Sequence, residues 1–291
     1  MRGDVYSISG IRRILARHGL ATSRTRGQHF LPDKTTLDRI ADAAELLPDE
    51  CALEIGPGLG ALTRVLSERV RQVVAVEIDA GFIRALGQTL EDLTNVRVVH
   101  HDFLRLDLRP WSIENLDPLP APIVANLPYS VTTPVLSALF QTPEWWRVAV
   151  LLLQKEVAQR LAARPGTPEY GSLSVYAQFA AEIEVVGLVS PGVFYPPPKV
   201  ESAIVRLRPR KVPPAAVRDP RVLQRVARAA FAQRRKTLLN SLGSIQEWGR
   251  DGARVALEAT GINPSARGET LTLAQFAALA DALTPPEVEG A

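Results

Sequence analysis

The sequence predicts an α/β protein with a Rossmann-like sheet covered by helices on both faces, followed by a small all-α domain. Short apolar runs alternate with helical patterns through most of the chain, and the last part is helical only. The apolar runs lack polar alternation, which is typical of parallel strands buried on both faces. With 46% hydrophobic and 22% charged residues, the 291-residue chain can bury a sizeable core.

Each element follows from its local pattern. The predicted strands are CALEIG (51–56), QVVAVEID (72–79), VRVVHHDF (96–103), PIVANLPY (122–129), VAVLLLQ (148–154), EIEVVGLV (182–189) and VESAIVRLRP (200–209). A short connection before the last strand indicates an antiparallel edge. Helical spacing of apolar residues predicts helices at 35–47, 59–69, 81–93, 155–163, 172–180, 219–241, 251–259 and 272–283.

A proline-rich basic stretch at 209–214 is typical of a linker. We therefore predict one domain at 1–212, which includes a basic N-terminal extension at 1–30, and a second domain at 213–291. The first domain carries the sheet, and the second is helical.

The charge distribution predicts a surface that binds a polyanion. The 34 basic and 31 acidic residues give a net charge of only +3. However, residues 1–30 carry six arginines against one acidic residue, and residues 206–236 carry eleven basic residues against one acidic residue. Arginine favours forked contacts with phosphate. A solvated, arginine-rich surface with no partner is the alternative interpretation.

Cysteine content and hydropathy predict a cytoplasmic protein. The chain has a single cysteine, Cys51, so no internal disulfide can form. No run of about 18 apolar residues is present. Nothing in the sequence demands more than a monomer.

A glycine-rich turn follows the first predicted strand and opens a helix. Gly56, Gly58 and Gly60 allow the backbone to approach a ligand closely. Twenty-one residues after Gly56 stands Glu77, at the tip of the second strand, where a carboxylate can accept both hydroxyls of a ribose. With Ala61, the turn also satisfies the dinucleotide pattern of an NAD-dependent dehydrogenase.

Three features argue against a nicotinamide cofactor. A helix and about 50 residues precede the first strand, and Pro57 removes a backbone N–H from the turn. Glu54 brings a negative charge that suits a cationic ligand better than a diphosphate. The ligand that combines adenosine with a positive charge is S-adenosylmethionine. Asp102, after the third strand, is then placed to accept from the adenine amino group, although a plain helix cap is the alternative.

The fourth strand ends in Asn126-Leu127-Pro128-Tyr129. The exocyclic amine of adenine is a weak nucleophile because its lone pair is shared with the ring. The Asn126 side-chain oxygen and the carbonyl of Leu127 or Pro128 can each accept one amine hydrogen and localise that lone pair. Tyr129 offers a face on which an extruded base can stack. An ordinary proline turn with a core tyrosine is the alternative.

These motifs together resemble the ribosomal RNA adenine N6-dimethyltransferase family, in its bacterial small-subunit branch. The resemblance extends from about His18 to Leu283. It rests on GQHFL (27–31), EIGPGLGALT (54–63), VEID (76–79), HDFL (101–104), NLPY (126–129), VFYPPPKVESAIVRL (193–207) and FAQRRKTLLNSL (231–242).

The resemblance implies a methyl-donor site and a substrate site. The donor residues it implies are His29, Leu31, Gly56, Glu77, Asp102 and Asn126. Tyr129 and Phe194 would sandwich a flipped adenosine. The implied target is two adjacent adenosines in the loop of the last hairpin of 16S rRNA, each methylated twice. Many family members have asparagine where this chain has His29, so a contact from that side chain stays open.

Arg234, Arg235 and Lys236 are predicted in the middle of a C-terminal helix, where they would contact RNA phosphates; a solvated helix face is the alternative. No metal site is expected at His100-His101, because adjacent strand residues point to opposite faces. Two further functions stay open beside the leading one. They are a methyltransferase of 23S rRNA of the macrolide-resistance type and a non-catalytic RNA-binding assembly factor.

Overall fold

The computed structural model describes residues 4–21, 28–233 and 235–284. These residues form two compact units, each built from two stretches of chain. The units are Met1–Ala158 with Ile183–Pro209, and Gln159–Glu182 with Arg210–Ala291. None of the helices in the described ranges has the length and apolar character that crossing a bilayer requires.

The first unit contains a seven-stranded mixed sheet with the order β3-β2-β1-β4-β5-β7-β6. The strands are β1 Cys51–Ile55, β2 Gln72–Glu77, β3 Val96–His100, β4 Ala121–Asn126, β5 Trp146–Gln154, β6 Ala181–Val189 and β7 Ser202–Pro209. Strands β1 to β5 pair in parallel, and β7 runs antiparallel to β5. All seven predicted strands are present, so the predicted fold class is confirmed.

Helices alternate with these strands; the apolar spacing predicts those at 34–43, 61–67, 80–89 and 155–162 but not those at 8–17, 108–115 and 132–141. The helices are α1 Ile8–Arg17, α2 Lys34–Ala43, α3 Ala61–Ser67, α4 Ala80–Thr89, α5 Leu108–Asn115, α6 Thr132–Gln141 and α7 Lys155–Ala162. Side chains define several helix starts, because the first backbone N–H groups of a helix have no internal partner. Asp33 accepts from the Thr36 amide at 2.8 Å at the start of α2, and Asp79 accepts from the Gly81 amide at 2.7 Å at the start of α4.

The core of the sheet unit forms where helices α2 and α3 pack with strand residues. Leu37 and Ile40 from α2 and Leu66 from α3 share one apolar cluster with Val124 and Val150. All five side chains are at most 1% exposed. Full burial of an aliphatic side chain of this size contributes about 1.5–3 kcal/mol. Every residue of β1 is buried, as expected for a strand covered on both faces.

The second unit is helical in its described residues, apart from the start of β6. Its helices beyond α7 are α8 Ser172–Ala180, α9 Pro220–Ala232, α10 Leu238–Leu242, α11 Gly249–Ala259 and α12 Leu273–Leu283. Tyr170 and Val175 share one core with Leu257 and Phe276. The Tyr170 hydroxyl donates to the Leu271 carbonyl at 3.0 Å, and burial raises the pKa of Tyr170 to about 12.

The division of the chain into 1–212 and 213–291 remains a prediction. The compact unit that contains the C-terminal helices also includes residues 159–182. Tyr170 and α8 come from this stretch and contribute to the helical core.

The single helix predicted at 219–241 is wrong, because the structure contains two helices separated by a connection. Gln233 leaves helical geometry with φ −140° and ψ 91° at the end of α9. Thr237 then caps α10 by accepting from the Asn240 amide at 3.4 Å. A threonine in extended geometry that accepts such a bond starts a new helix rather than continuing an old one. Arg235 and Lys236 therefore lie in an exposed connection and not in the middle of a helix.

Part of the basic stretch at 206–236 is already neutralised. Arg206 and Arg208, on β7, bind Glu45 at 2.8 and 2.7 Å. Arg206 also pairs with Glu184. Counting charge along the sequence overstated the free basic surface here, because acidic residues distant in sequence fold against these arginines.

We predict that Gly60→Ala lowers the free energy of unfolding by about 1–2 kcal/mol. Gly60 has φ +85°, a left-handed conformation that alanine adopts only with strain. An added Cβ would also lie 2.8 Å from Leu90 Cδ2. The control is Gly87→Ala in α4, where nothing lies within 4 Å of an added Cβ. This change is expected to be neutral or to stabilise by about 0.5–1 kcal/mol. Urea unfolding measures both, and equal effects of the two substitutions would contradict the prediction.

Candidate active site

A cavity of about 520 Å³ opens at the carboxyl ends of the central strands. In an open parallel sheet, ligands bind beyond the carboxyl ends of the strands, where the loops converge. The predicted site residues that line the cavity are His29, Leu31, Gly56, Gly58, Glu77, Asp102, Asn126, Leu127, Pro128 and Tyr129. The structure thus brings together ten residues that are separated by up to 100 positions in the sequence.

The glycine turn between β1 and α3 forms one wall of the cavity. Gly56 and Gly58 have φ angles of +70° and +59°, which only glycine adopts without cost. The Gly56 amide donates to the Val76 carbonyl at 2.9 Å, so the turn is fixed to the end of β2. Gly56 and Gly58 themselves carry no side chain that would separate their backbone from a ligand.

Glu77, the last residue of β2, presents a carboxylate held by backbone amides. Oε1 accepts from the Asp79 amide at 2.9 Å, and Oε2 accepts from the Gly58 amide at 3.4 Å. The residue is 6% exposed, and this burial raises its pKa above the ordinary value. Each carboxylate oxygen keeps further acceptor capacity. Glu77 can therefore accept hydroxyl groups of a ligand without losing its own anchors.

Asp102 lines the cavity and also caps a short 3-10 turn. Oδ1 accepts from the Leu104 amide at 3.0 Å, and Oδ2 lies 3.4 Å from Arg105. The capping role that was the alternative interpretation is thus present. It leaves lone pairs on the carboxylate for a ligand amine, since each oxygen can accept more than one hydrogen bond.

Asn126 ends β4, and its amide is oriented by a single backbone contact. Nδ2 donates to the His29 carbonyl at 3.2 Å. Nδ2 keeps a second N–H, and Oδ1 is the atom of this amide that can accept a hydrogen bond from a ligand in the cavity. The segment around His29 is itself fixed, since Phe30 and Tyr195 exchange two backbone hydrogen bonds at 2.9 and 2.8 Å.

Two rings lie beside Asn126 in the cavity wall. The Tyr129 and His29 rings have centroids 5.5 Å apart at an interplanar angle of 36°. The Tyr129 hydroxyl and Ser202 Oγ lie 2.8 Å apart, and burial raises the pKa of Tyr129. His29 Nδ1 lies 2.7 Å from the Pro196 carbonyl. A carbonyl only accepts, so this nitrogen carries the proton.

Three of the predicted residues that the structure describes do not line the cavity. Phe194 is 2% exposed and packs in the sheet core with Leu31; it is absent from the cavity wall. Arg235 and Lys236 are exposed in the helical unit, and Arg234 lies outside the described residues. Sequence order alone could not separate Phe194 from the cavity residues, because its burial depends on the packing of distant helices.

Glu54 is the cavity residue whose environment the sequence did not reveal. It lies within β1, is 1% exposed and lines the cavity. Its Oε2 has no hydrogen-bond partner in the described structure. Burial, together with the charge of Glu77, raises the pKa of Glu54 to about 8. An acidic residue inside an otherwise apolar strand was the available signal.

The sequence is similar to proteins described as ribosomal RNA modifying enzymes. Residues 21–284 match the family described as "Ribosomal RNA adenine dimethylase". The "Ribosomal RNA small subunit methyltransferase A" of Geobacillus thermodenitrificans is 46% identical over 98% of this chain and 99% of its own length. The protein with the same description from Streptococcus pneumoniae is 43% identical over 97% of this chain and 98% of its own.

Two solved structures resemble this one in fold. A dimethyladenosine transferase from Plasmodium falciparum has a TM-score of 0.71 and 24% identity, covering 86% of this chain and 95% of its own. The 23S rRNA methyltransferase ErmE has a TM-score of 0.63 and 31% identity, covering 87% of this chain and 98% of its own. Both similarities extend over more than four-fifths of this chain, so the fold is shared.

We predict that the empty protein loses stability as the pH rises from about 5 to 8, and that Glu54→Gln reduces this loss. The pKa of Glu54 is raised to about 8 from an ordinary value of 4.5, so the folded state binds a proton that the unfolded state has lost. The stabilising contribution of protonated Glu54 is fully present below pH 4.5, falls between pH 4.5 and pH 8 and is absent above pH 8. Its upper bound is about 4–5 kcal/mol.

Urea unfolding at several pH values measures this effect. Glu77, whose pKa is also raised, adds a loss of the same sign in both proteins. The difference between the wild-type and Glu54→Gln proteins therefore isolates Glu54. Identical pH dependence of the two proteins would contradict the assignment.

Proposed function

Because the chain belongs to the ribosomal RNA adenine dimethylase family, we propose that it is an S-adenosylmethionine-dependent methyltransferase that places two methyl groups on each of two adjacent adenosines of 16S rRNA. The target adenosines lie in the loop of the last hairpin of the small-subunit rRNA. The observation that carries the chemistry is the orientation of Asn126, whose Nδ2 is bound to the His29 carbonyl. This leaves Oδ1 as an acceptor at the cavity.

The cavity residues fit S-adenosylmethionine. Glu77 offers a buried carboxylate at the tip of β2, as binding of a ribose requires. Glu54 offers a buried carboxylate oxygen without a partner, which suits a ligand that carries a positive charge. S-adenosylmethionine supplies a methyl group on a positively charged sulfur. Gly56 and Gly58 let the backbone lie directly against the donor.

The proposed chemistry relies on two acceptors for the target amine. Asn126 Oδ1 accepts one amine hydrogen, and the Leu127 carbonyl accepts the other. Leu127 is favoured over Pro128 because the Pro128 carbonyl already accepts from the Val131 amide at 3.1 Å. The two bonds draw the nitrogen towards tetrahedral geometry and localise its lone pair. Positioning and fixed dipoles then supply most of the rate enhancement.

Tyr129 is proposed to hold the extruded base by stacking. Its hydroxyl contact with Ser202 fixes the ring orientation before the base arrives. Stacking of a base on an aromatic ring contributes about 1–3 kcal/mol, which offsets much of the few kcal/mol that extrusion costs. Phe194 can complete a sandwich only if its side chain leaves the core, because it is 2% exposed in this structure.

The small subunit is the proposed partner because relatives named for it are 43–46% identical over nearly the whole chain. The 31% identity with ErmE makes methylation of 23S rRNA the second candidate. We place the protein in the cytoplasm, where ribosomal subunits are assembled, and propose that it acts as a monomer.

Counting methyl groups tests the target directly. Under-methylated small subunits, incubated with labelled S-adenosylmethionine and the protein, should gain four methyl groups on 16S rRNA, confined to two adjacent adenosines. Purified 23S rRNA is the matched control and should gain none. Transfer to 23S rRNA alone would replace the proposed target by the second candidate.

We predict that Asn126→Ala lowers the rate of methyl transfer by about a hundredfold or more, since it removes one fixed acceptor of the amine. Calorimetric affinity for S-adenosylmethionine should change far less, and unfolding should stay cooperative. Asn115→Ala serves as the control, because Asn115 lies at the end of α5 and is not part of the cavity wall. Full-rate turnover by Asn126→Ala would reject the proposed role.

We predict that charge reversal at Arg235 and Lys236 weakens binding to small-subunit rRNA and reduces the salt dependence of the affinity. For every phosphate that the variant no longer binds, the slope of log affinity against log salt should fall by about one unit. Arg254→Glu with Arg267→Glu makes the same change in net charge at exposed positions elsewhere in the helical unit. Equal weakening in both double variants would point to net charge rather than to phosphate binding by Arg235 and Lys236.

A further inference from the structure

Among the residues that the structure describes, no protein group bonds to Oε2 of Glu54, although this carboxyl group lies in the wall of the donor cavity. It is 1% exposed, and Oε2 is buried without a hydrogen bond among the described residues. A buried polar atom without a partner is costly, and native structures seldom retain one without a ligand, water or strain that explains it. The cavity itself is the direction from which such a partner can come.

The groups around Glu54 offer no countercharge. Its strand partners are Ala75 on β2 and Val124 on β4. Helix α3 contributes Thr63, whose nearby hydroxyl favours the carboxylate form but carries no charge. Thr63 Oγ1, like Glu54 Oε2, makes no hydrogen bond of normal geometry among the described residues. The charged group that acts on Glu54 is Glu77, another carboxylate. The environment of Glu54 therefore disfavours its ionised form as long as no cation enters.

The other charged groups near Glu54 either form an ion pair or lie at other positions on the cavity wall. Arg64 of α3 directs its guanidinium to Asp92 at 2.6 Å. The remaining titratable residues of the cavity wall are His29, Asp79, His101, Asp102 and Tyr129. None of these is among the groups that shift the pKa of Glu54.

The methyl donor and its product differ in charge at this site. S-adenosylmethionine carries one positive charge more than S-adenosylhomocysteine, because its sulfur is a sulfonium and that of the product is a neutral thioether. In a poorly solvated cavity such a difference is felt over several ångströms. A carboxyl group that titrates near neutral pH can respond to it by gaining or losing a proton.

We propose that Glu54 is neutral in the empty cavity and releases its proton to solvent when S-adenosylmethionine binds, so that the site holds the sulfonium donor in preference to the thioether product. The proposal rests on the proposed function, since it requires that this cavity binds the methyl donor. No bond other than the carboxyl O–H breaks. The carboxylate that forms supplies the countercharge of the sulfonium.

The same difference in charge between donor and product favours release of the product. Methyl transfer removes the positive charge from the sulfur and leaves Glu54 as a buried anion that the sulfonium no longer neutralises; the α-ammonium group is common to donor and product and does not change. The carboxylate then takes up a proton from solvent and returns to its neutral form. The product loses an electrostatic attraction at the step in which it must leave, and this matters for an enzyme that exchanges its donor four times for each rRNA.

Calorimetry of ligand binding tests the proposal without any turnover. Binding of each ligand to the full-length protein is measured at pH 7 in two buffers of different ionisation enthalpy, which gives the number of protons released. With a pKa of about 8, Glu54 is about 90% protonated at pH 7. We expect about 0.9 proton to be released with S-adenosylmethionine and close to none with S-adenosylhomocysteine.

The affinities provide a second readout. Between pH 6 and 7 the affinity for S-adenosylmethionine should rise roughly ninefold, because the fraction of Glu54 that is already ionised rises by that factor. The affinity for S-adenosylhomocysteine should change by less than about twofold. In Glu54→Gln, which keeps the size of the side chain, the donor-specific proton release should vanish. The ratio of the two affinities should fall by about tenfold or more.

The possible failures are distinguishable. Binding of both ligands with equal proton release, or an undiminished difference in Glu54→Gln, would overturn the role of Glu54 and leave the proposed function intact. Binding of neither ligand to the wild-type protein would overturn the proposed function and this inference with it. Binding of S-adenosylhomocysteine to Glu54→Gln shows that the variant is folded.

Discussion

Parallel pairing of the central strands is the constraint on which the site depends. Strands β1, β2 and β4 run in one direction and in fixed register, so their carboxyl ends reach the same edge of the sheet. Gly56, Glu77 and Asn126 each stand at or directly after one of these ends. A shift of one residue in any strand would turn its terminal side chain to the opposite face. The paired apolar strands thus hold in place the polar residues at their ends, which contribute little to stability themselves.

The sequence predicted the sheet well because each strand is an apolar run bounded by turn residues, and burial on both faces leaves a clear signal in composition. Ten of the residues it predicted line the cavity. Eight of these lie at or shortly after a strand end, whereas His29 and Leu31 precede the sheet and were implied only by the family resemblance. Three properties escaped prediction: the break between α9 and α10, the burial of Phe194, and the missing partner of Glu54. The break between α9 and α10 is marked by a local cap at Thr237 that the apolar spacing did not reveal. The burial of Phe194 and the missing partner of Glu54 are decided by side chains far away in sequence. Local patterns carry no information about such contacts.

Charge counted along the chain was a weaker guide than hydrophobic pattern. The arginines of β7 form ion pairs with Glu45 and Glu184, which belong to other elements of the sheet unit. Exposed ion pairs of this kind contribute little stability, but they reduce the positive charge available to a polyanion. In contrast, Arg235 and Lys236 lie exposed in a connection whose backbone is not held by helical hydrogen bonding. This places the candidate phosphate-binding residues on a short loop rather than on a rigid face.

The helical unit is assembled from two separate pieces of chain, and this limits how the protein can be recombined. Residues 159–182 supply Tyr170 and α8, whose side chains complete the core formed by α9, α11 and α12. A C-terminal fragment that begins in the proline-rich stretch at 209–214 would lack these side chains. The apolar surface of α9, α11 and α12 that they cover would then be exposed. Exchange of the helical unit between family members therefore requires two coordinated junctions. The unit is correspondingly easier to alter by substitution within it than by exchange of a terminal segment.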